Sequence, residues 1–178
     1  MTLRLITAPA DMPVTLDEAK AHLRVDGDHE DALIGSLIRA ALAHAEKWCG
    51  QPFQEQTWEQ VLDAFPAAEI DLEIGPVASV TSVKYDDGDG EQTVDGADYE
   101  VDTVSRSGWV VPAAGFAWPT ALDGVSAVRV RFVVGTSAPL EVKQAILLMI
   151  GFWFESREAA EMPGGAYALL NLHRRMFA

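Results

Sequence analysis

The chain has 178 residues, of which 49% are hydrophobic and 22% charged, an ordinary composition for one substantial folded domain or a small core carrying an insertion. Its longest apolar run, residues 145–154, is about half of what a bilayer requires, and its first residues lack the pattern of a signal peptide. The one cysteine, Cys49, permits no intrachain disulfide. We therefore expect a protein made in the cytoplasm, with no membrane association.

The net charge of −14 is unevenly distributed. Residues 53–123 contain fifteen acidic and two basic residues, whereas residues 1–52 contain eight and five, and residues 124–178 contain four and six. An acidic surface of this kind repels a phosphate backbone, so ordinary nucleic-acid binding is not expected. Such a surface could still line a channel through which DNA moves, because it would not bind the DNA.

The first predicted helix begins at a capping box. Thr15 and Glu18 have the spacing at which each side chain bonds the other residue's backbone amide. The helix is expected from Leu16 to about Val25, where the acidic and glycine-containing stretch 26–29 interrupts it.

A second, longer helix is predicted from Asp28 or His29 to Cys49. Gly50 supplies a C-terminal cap and Pro52 prevents continuation. A helical hairpin cannot bury so broad an apolar face alone, so the face needs the rest of the chain or a neighbouring subunit. The apolar residues at helical spacing are Leu33, Ile34, Leu37, Ile38, Ala41, Leu42, Ala45 and Trp48.

The middle of the chain predicts an antiparallel sheet or small sandwich inserted between helices. Residues 128–133 alternate between apolar and basic side chains, as a strand with two different faces would. Residues 83–85 and 92–94 are expected to form a hairpin across the turn at 86–90. Turn residues separate short β-rich segments at 54–62, 69–74, 80–85, 91–94, 99–101, 108–111 and 127–134.

Helices return after residue 135. Pro139 suits the first turn of a third helix, predicted from Leu140 to about Arg157, which is apolar nearly all round and must therefore be enclosed. Residues 162–165 are interpreted as a hinge before a short final helix at 166–177. The prediction is an α+β protein with helical parts at 1–52 and 136–178 and an acidic β-rich insertion at 53–135.

The residue pattern offers little support for catalysis, metal binding or a cofactor. Residues 86–91 could offer oxygen ligands to calcium, but they lack the EF-hand spacing and favour a solvated turn. His44 and Cys49 lie on different faces of one helix, so a nucleophilic pair is not expected. The four histidines have no metal-ligand spacing. Arg129 and Arg131 could touch DNA, but more plausibly balance acidic strands across the sheet.

An ordered set of sequence segments resembles the head–tail connector, or adaptor, proteins of tailed bacteriophages and phage-like gene transfer particles. The resemblance implies a non-enzymatic virion subunit in the particle neck. It implies a ring of twelve copies under the portal protein that extends the DNA channel, passes DNA without specific binding and meets the next tail-side component, a stopper or tail terminator. The segments are residues 14–24, 31–34, 45–48, 118–119, 128–135, 139–148 and 155–158.

The resemblance, together with the apolar helical faces, suggests two sets of assembly residues. The candidate subunit interface is Leu37, Leu42, Trp48, Met149 and Trp153, although the core of a single subunit explains Trp153 equally well. The candidate portal-docking set is Tyr167, Leu169, Leu170, Arg174, Arg175, Met176 and Phe177. Two other functions remain open: a hydrolase or lyase that uses carboxylates of the insertion, and a stand-alone acidic binding module.

Overall fold

The structure, a computed structural model, describes residues 1–105, 107–157 and 161–174. This part of the chain is α+β, as predicted. Its helices are α1 (Leu16–Leu23), α2 (Asp31–Cys49), α3 (Leu140–Ser156) and α4 (Gly164–Asn171). Its strands are β1 (Thr2–Thr7), β2 (Gln56–Leu62), β3 (Ile70–Asp71), β4 (Val77–Asp86), β5 (Glu91–Thr93), β6 (Tyr99–Val101), β7 (Trp109–Pro112) and β8 (Val128–Val134).

The chain divides into two compact units. The helical unit comprises residues 10–54 and 137–178, and the β unit comprises residues 1–9 and 55–136. The sequence analysis assigned all of residues 1–52 to the helical part and did not predict β1. The first nine residues instead belong to the β unit, because β1 pairs antiparallel with β2.

The capping box at the start of α1 is confirmed. The Thr15 hydroxyl accepts a hydrogen bond from the Glu18 amide at 3.2 Å, and the Thr15 amide donates to Glu18 Oε2 at 2.8 Å. The bond from the Thr15 amide, with a further one that the Thr15 hydroxyl donates to Glu18 Oε2 at 3.1 Å, holds the pKa of Glu18 below its ordinary value, because both stabilise the carboxylate. The helix ends at Leu23, and Arg24 adopts a left-handed conformation with φ 56°. The stop comes two residues earlier than expected.

The core of the helical unit is built mainly from α2, α3 and α4, with Ala19 of α1. α2 begins at Asp31, later than predicted, and ends at Cys49; the next residue, Gly50, has a φ of 68° and forms the left-handed cap that glycine favours. The buried members of this core are apolar throughout: Val14, Ala19, Ile34, Ile38, Ala41, Leu42, Ala45, Cys49, Phe53, Ala138, Val142, Ala145, Ile146, Met149, Ile150, Trp153, Ala166 and Leu170.

The β unit contains two antiparallel sheets. The larger has the strand order β1-β2-β8-β4-β5, and the smaller has the order β3-β7-β6. The predicted alternation of β8 is confirmed, since buried and half-buried residues alternate along the strand. The predicted hairpin is confirmed as well, because Lys84 pairs with Thr93 and Tyr85 with Gln92.

A buried glutamine links the two sheets. Gln60, on β2, is fully buried. Its Nε2 donates to the carbonyl of Asp71 at 2.6 Å, and its Oε1 accepts from the amide of Glu73 at 3.0 Å. Because a buried amide without partners is costly, these bonds fix how β2 meets the segment that contains β3.

Candidate assembly surfaces

The helical unit has an apolar groove between α2 and α3, which we call the α2/α3 groove. Its volume is about 220 Å³, and it is lined by Leu33, Leu37, Trp153, Phe154 and Arg157. Leu33 is 46% exposed although it lies on the predicted apolar face of α2. An apolar recess with one cationic rim residue suits packing against another protein surface.

A second groove borders the same half of α2 from the other side of the helix. Its volume is about 380 Å³. Asp11 and Arg39 give it charge of both signs, and the remaining lining is Met12, Val14, Thr15, Leu16, Gly35 and Ile38. The first half of α2 therefore has a groove on each of two sides.

Three of the five candidate interface residues are part of the subunit's own core. Leu42, Met149 and Trp153 are at most 3% exposed. The Trp153 indole also donates to the carbonyl of Glu161 at 3.0 Å. Side chains already enclosed by their own chain have little surface to offer a neighbour, although Trp153 still lines the α2/α3 groove with the small part that remains exposed. Leu37, in the α2/α3 groove, and the half-buried Trp48 keep accessible surface.

The second half of α2 holds the C-terminal residues through what we call the Trp48 cluster: Trp48, Tyr167, Asn171 and Arg174. The Trp48 and Tyr167 ring centroids are 4.9 Å apart, and the Arg174 guanidinium lies 4.7 Å from the Trp48 centroid. The Trp48 indole donates to Asn171 Oδ1 at 3.2 Å. The residues up to Arg174 are thus fixed to α2.

The predicted docking residues divide into three groups. Leu170 is fully buried, and its carbonyl accepts a hydrogen bond from the Cys49 thiol at 3.4 Å; Leu169 is half-buried against the core. Tyr167 and Arg174 are exposed. Arg175, Met176 and Phe177 lie outside the described residues. The expected hinge also differs, because Gly164 and Gly165 form the first turn of α4.

The larger sheet carries its basic side chains in two ion-pair groups. Glu59, only 8% exposed, lies 2.9 Å from Arg131 and 3.8 Å from Arg4, on the strands that flank it. The interpretation that the arginines of β8 balance acidic strands is confirmed by this group and by the next.

The second group is centred on Glu91. Its carboxylate lies 2.6 Å from both Lys84 and Arg129. The hydrogen bond from Lys84, reinforced by the charge of Arg129, holds the pKa of Glu91 below its ordinary value of 4.5.

Several aspartates of the β unit bond backbone amides within solvated turns. Asp86 accepts from the amide of Gly88, and Asp87 from the amide of Asp89, both at 2.9 Å. Hydrogen bonds from Ser105 and Val104 lower the pKa of Asp102. Within the described residues, no group of three or more histidine, cysteine, aspartate or glutamate side chains could hold a metal ion.

His44 and Cys49 do not form a reactive pair. The His44 ring packs against that of Trp153, with centroids 5.9 Å apart. Burial raises the pKa of the Cys49 thiol to about 11, so the reactive thiolate is scarce at neutral pH.

None of the helices that the structure describes has the length and apolar character that a membrane span requires.

The accessible strand β1 was not predicted from the sequence. Leu5 and Ile6 are 47% and 41% exposed on it. Residues 2–7 contain β-favouring Leu, Ile and Thr, which could have indicated a strand, but the segment is short and its pairing partner lies about fifty residues away.

Part of the chain is similar to a known protein family. Residues 13–83, from just before α1 into β4, match the family described as phage gp6-like head-tail connector protein. No curated protein sequence matches the chain.

Solved structures of particle necks match over the full length. A chain in the neck of an empty GTA particle computed with C6 symmetry is 25% identical, with a TM-score of 0.82, covering 100% of this chain and 97% of that chain. A chain in the virion of a native gene transfer agent (GTA) particle is 28% identical, with a TM-score of 0.79 and the same coverage. A chain in the neck of a native GTA particle computed with C12 symmetry is 27% identical, with a TM-score of 0.77 and again the same coverage. Residues 13–83 are thus similar to the phage gp6-like head–tail connector family, and the whole chain is similar to chains of GTA particles.

Proposed function

We propose that the chain is a structural head–tail connector subunit that forms a ring in the neck of a phage-like particle. The observation that carries this function is the match of the whole chain, at a TM-score of 0.82, to a chain of a GTA particle neck. Both units take part in that match, so the likeness is not confined to a common helical hairpin.

The ring is proposed to contain twelve subunits and to lie under the portal protein. Its support is the C12 symmetry of one of the matching necks. In a cyclic ring each copy presents one surface to the next copy and a different surface to the previous one. The α2/α3 groove and the groove beside Asp11 and Arg39 are candidates for those two surfaces, since both border α2.

The portal is proposed to dock on the exposed residues at the end of the helical unit. Tyr167, Leu172 and Arg174 are exposed there, and Arg175, Met176 and Phe177 follow. An exposed aromatic ring, an exposed leucine and a cation are suited to docking on an acidic protein surface with apolar pockets. Leu170 supports this surface from beneath rather than contributing to it.

The β unit is proposed to pass DNA without binding it and to meet the next tail-side component. Its acidic side chains are exposed on turns and edges, whereas four of its basic side chains are held in the ion pairs of Glu59 and Glu91. A surface whose arginine and lysine side chains are held in ion pairs, while other carboxylates face solvent, repels phosphate. We further propose that the subunit is not an enzyme.

Electron microscopy of the purified chain mixed with its portal tests the function. We expect a ring of the chain on one face of the portal, with twelve-fold symmetry. A chain that forms no ring and leaves the portal bare would overturn the proposal.

A pair of matched substitutions tests the docking surface. Leu172→Ser should reduce portal binding about tenfold or more in a pull-down titration, because Leu172 is 71% exposed beside the Trp48 cluster and central apolar contacts of an interface typically contribute more than ~1 kcal/mol. Val125→Ser is the control, since Val125 is 88% exposed in the β unit. Equal portal binding by both variants would remove this surface from the proposal.

A further inference from the structure

The larger sheet has an open edge at β1. Within the described residues, β1 pairs with β2 alone, so the other side of the strand presents backbone N–H and C=O groups without a sheet partner. Such an edge is a template for a strand from another chain, and proteins usually protect it by shortening it or by placing proline or lysine on it.

β1 has little of this protection. It is six residues long, contains neither proline nor lysine, and exposes Leu5 and Ile6. Its one charged residue, Arg4, lies 3.8 Å from Glu59. The pairing register shifts between Leu5 and Thr7, so the regular part of the edge is Thr2 to Leu5. The Arg4 side chain is 65% exposed despite this contact, so this edge of about four residues still carries a positive charge.

The opposite edge of the same sheet is β5, which has the complementary character. β5 is three residues long, Glu91–Thr93, and all three are exposed. Asp87, Asp89 and Asp95 flank it and are also exposed. The sheet therefore has a short basic edge and a short acidic edge of similar length.

We propose that β1 of one copy pairs with β5 of the next copy, so that the larger sheet continues from subunit to subunit around the ring. The inference rests on the proposed ring function and specifies one lateral contact within it. Because the two edges differ, the contact joins unlike surfaces, and it repeats until the ring closes. Backbone pairing supplies affinity, and the charge difference between Arg4 and the acidic residues beside β5 selects the order of the edges.

Cross-linking between introduced cysteines tests this contact. The variant is Thr2→Cys combined with Gln92→Cys, both at exposed positions on their edges. Arg4 stays in place, because its charge is part of the proposed contact. Within one subunit the two strands are four strand spacings apart, roughly 19 Å, which is beyond the reach of a short bis-maleimide. The natural Cys49 is buried and its pKa is raised to about 11, so it does not compete.

The linker is applied to rings assembled on the portal, and the products are separated under denaturing conditions. We expect a ladder of covalent oligomers extending to the complete ring. Each single-cysteine variant should give monomers, and so should the control pair Thr2→Cys with Thr103→Cys, in which Thr103 is exposed but lies outside the larger sheet.

Three results would overturn the inference, and they differ in what they leave standing. Rings seen by electron microscopy that give no ladder would refute the β1–β5 contact while the ring function stands. Dimers from the Thr2→Cys single variant would show β1 pairing with β1, which also refutes the contact. If neither the natural chain nor the variants form rings, the proposed function is overturned together with the β1–β5 contact.

Discussion

The helical unit and the β unit are stabilised by different kinds of interior. In the helical unit every buried core residue is apolar. In the described part of the chain, the buried polar residues Gln56, Glu59 and Gln60 all lie on β2 of the β unit. Close packing of apolar side chains is sensitive to volume but not to pH, whereas buried polar groups must keep every partner. The two units should therefore fail under different substitutions.

The largest effect is expected in the helical core. Leu170→Ala should lower the free energy of unfolding by about 2–5 kcal/mol, because a fully buried leucine is replaced by a cavity. Urea denaturation followed by tryptophan fluorescence measures this change. Leu172→Ala, two residues away but 71% exposed, should stay within ~0.5 kcal/mol of the unsubstituted chain. Equal effects at the two positions would mean that α4 is not part of the core.

A smaller effect is expected from the buried amide of the β unit. Gln60→Leu should lower the free energy of unfolding by about 1–3 kcal/mol, because the Asp71 carbonyl and the Glu73 amide lose their partner. The exposed Gln92→Leu serves as the control. If the leucine variant proved as stable as the natural chain in urea, packing rather than hydrogen bonding would govern the join between the sheets.

The smallest effect concerns the exposed ion pairs. The pKa of Glu91 lies below 4.5 in the folded chain, chiefly because of the hydrogen bond from Lys84. Its contribution to stability is therefore complete well above pH 4.5 and is lost as the pH falls through the lowered value. Lys84→Met should raise the pKa of Glu91 toward 4.5 in an NMR titration. Lys47→Met, on α2, should leave it unchanged, and a Glu91 pKa that ignored Lys84 would contradict the assignment.

Much of the fold could be predicted from the sequence because local chemistry decides it. The capping box at Thr15, the glycine cap at Gly50 and the alternation along β8 each fix an element by neighbouring residues alone. β1 was missed because its stability comes from pairing with β2, which is distant in sequence. Gly164 and Gly165 favoured a hinge, but the backbone there is helical, and a side chain at Gly165 would meet Leu148 at 3.4 Å.

The assembly residues were harder to predict than the fold. Helical periodicity shows that Leu42, Met149 and Trp153 must be covered, but it does not show whether the same chain or a neighbour covers them. The structure places all three in the core of one subunit. Tyr167 remains accessible because only part of the short helix α4 can face inward, and Arg174, which follows α4, remains accessible beside Trp48. Both placements depend on the position of α2, which the sequence does not give.

The attachment of Arg174 to Trp48 has a consequence for avidity. Because Arg174 lies 4.7 Å above an indole of α2, this end of the described chain is held at a fixed point of the helical unit. In a ring, every copy would present Arg174 at the same radius and height. Weak individual contacts then act at a high effective concentration, and the affinity of the whole ring for its partner can far exceed that of a single subunit.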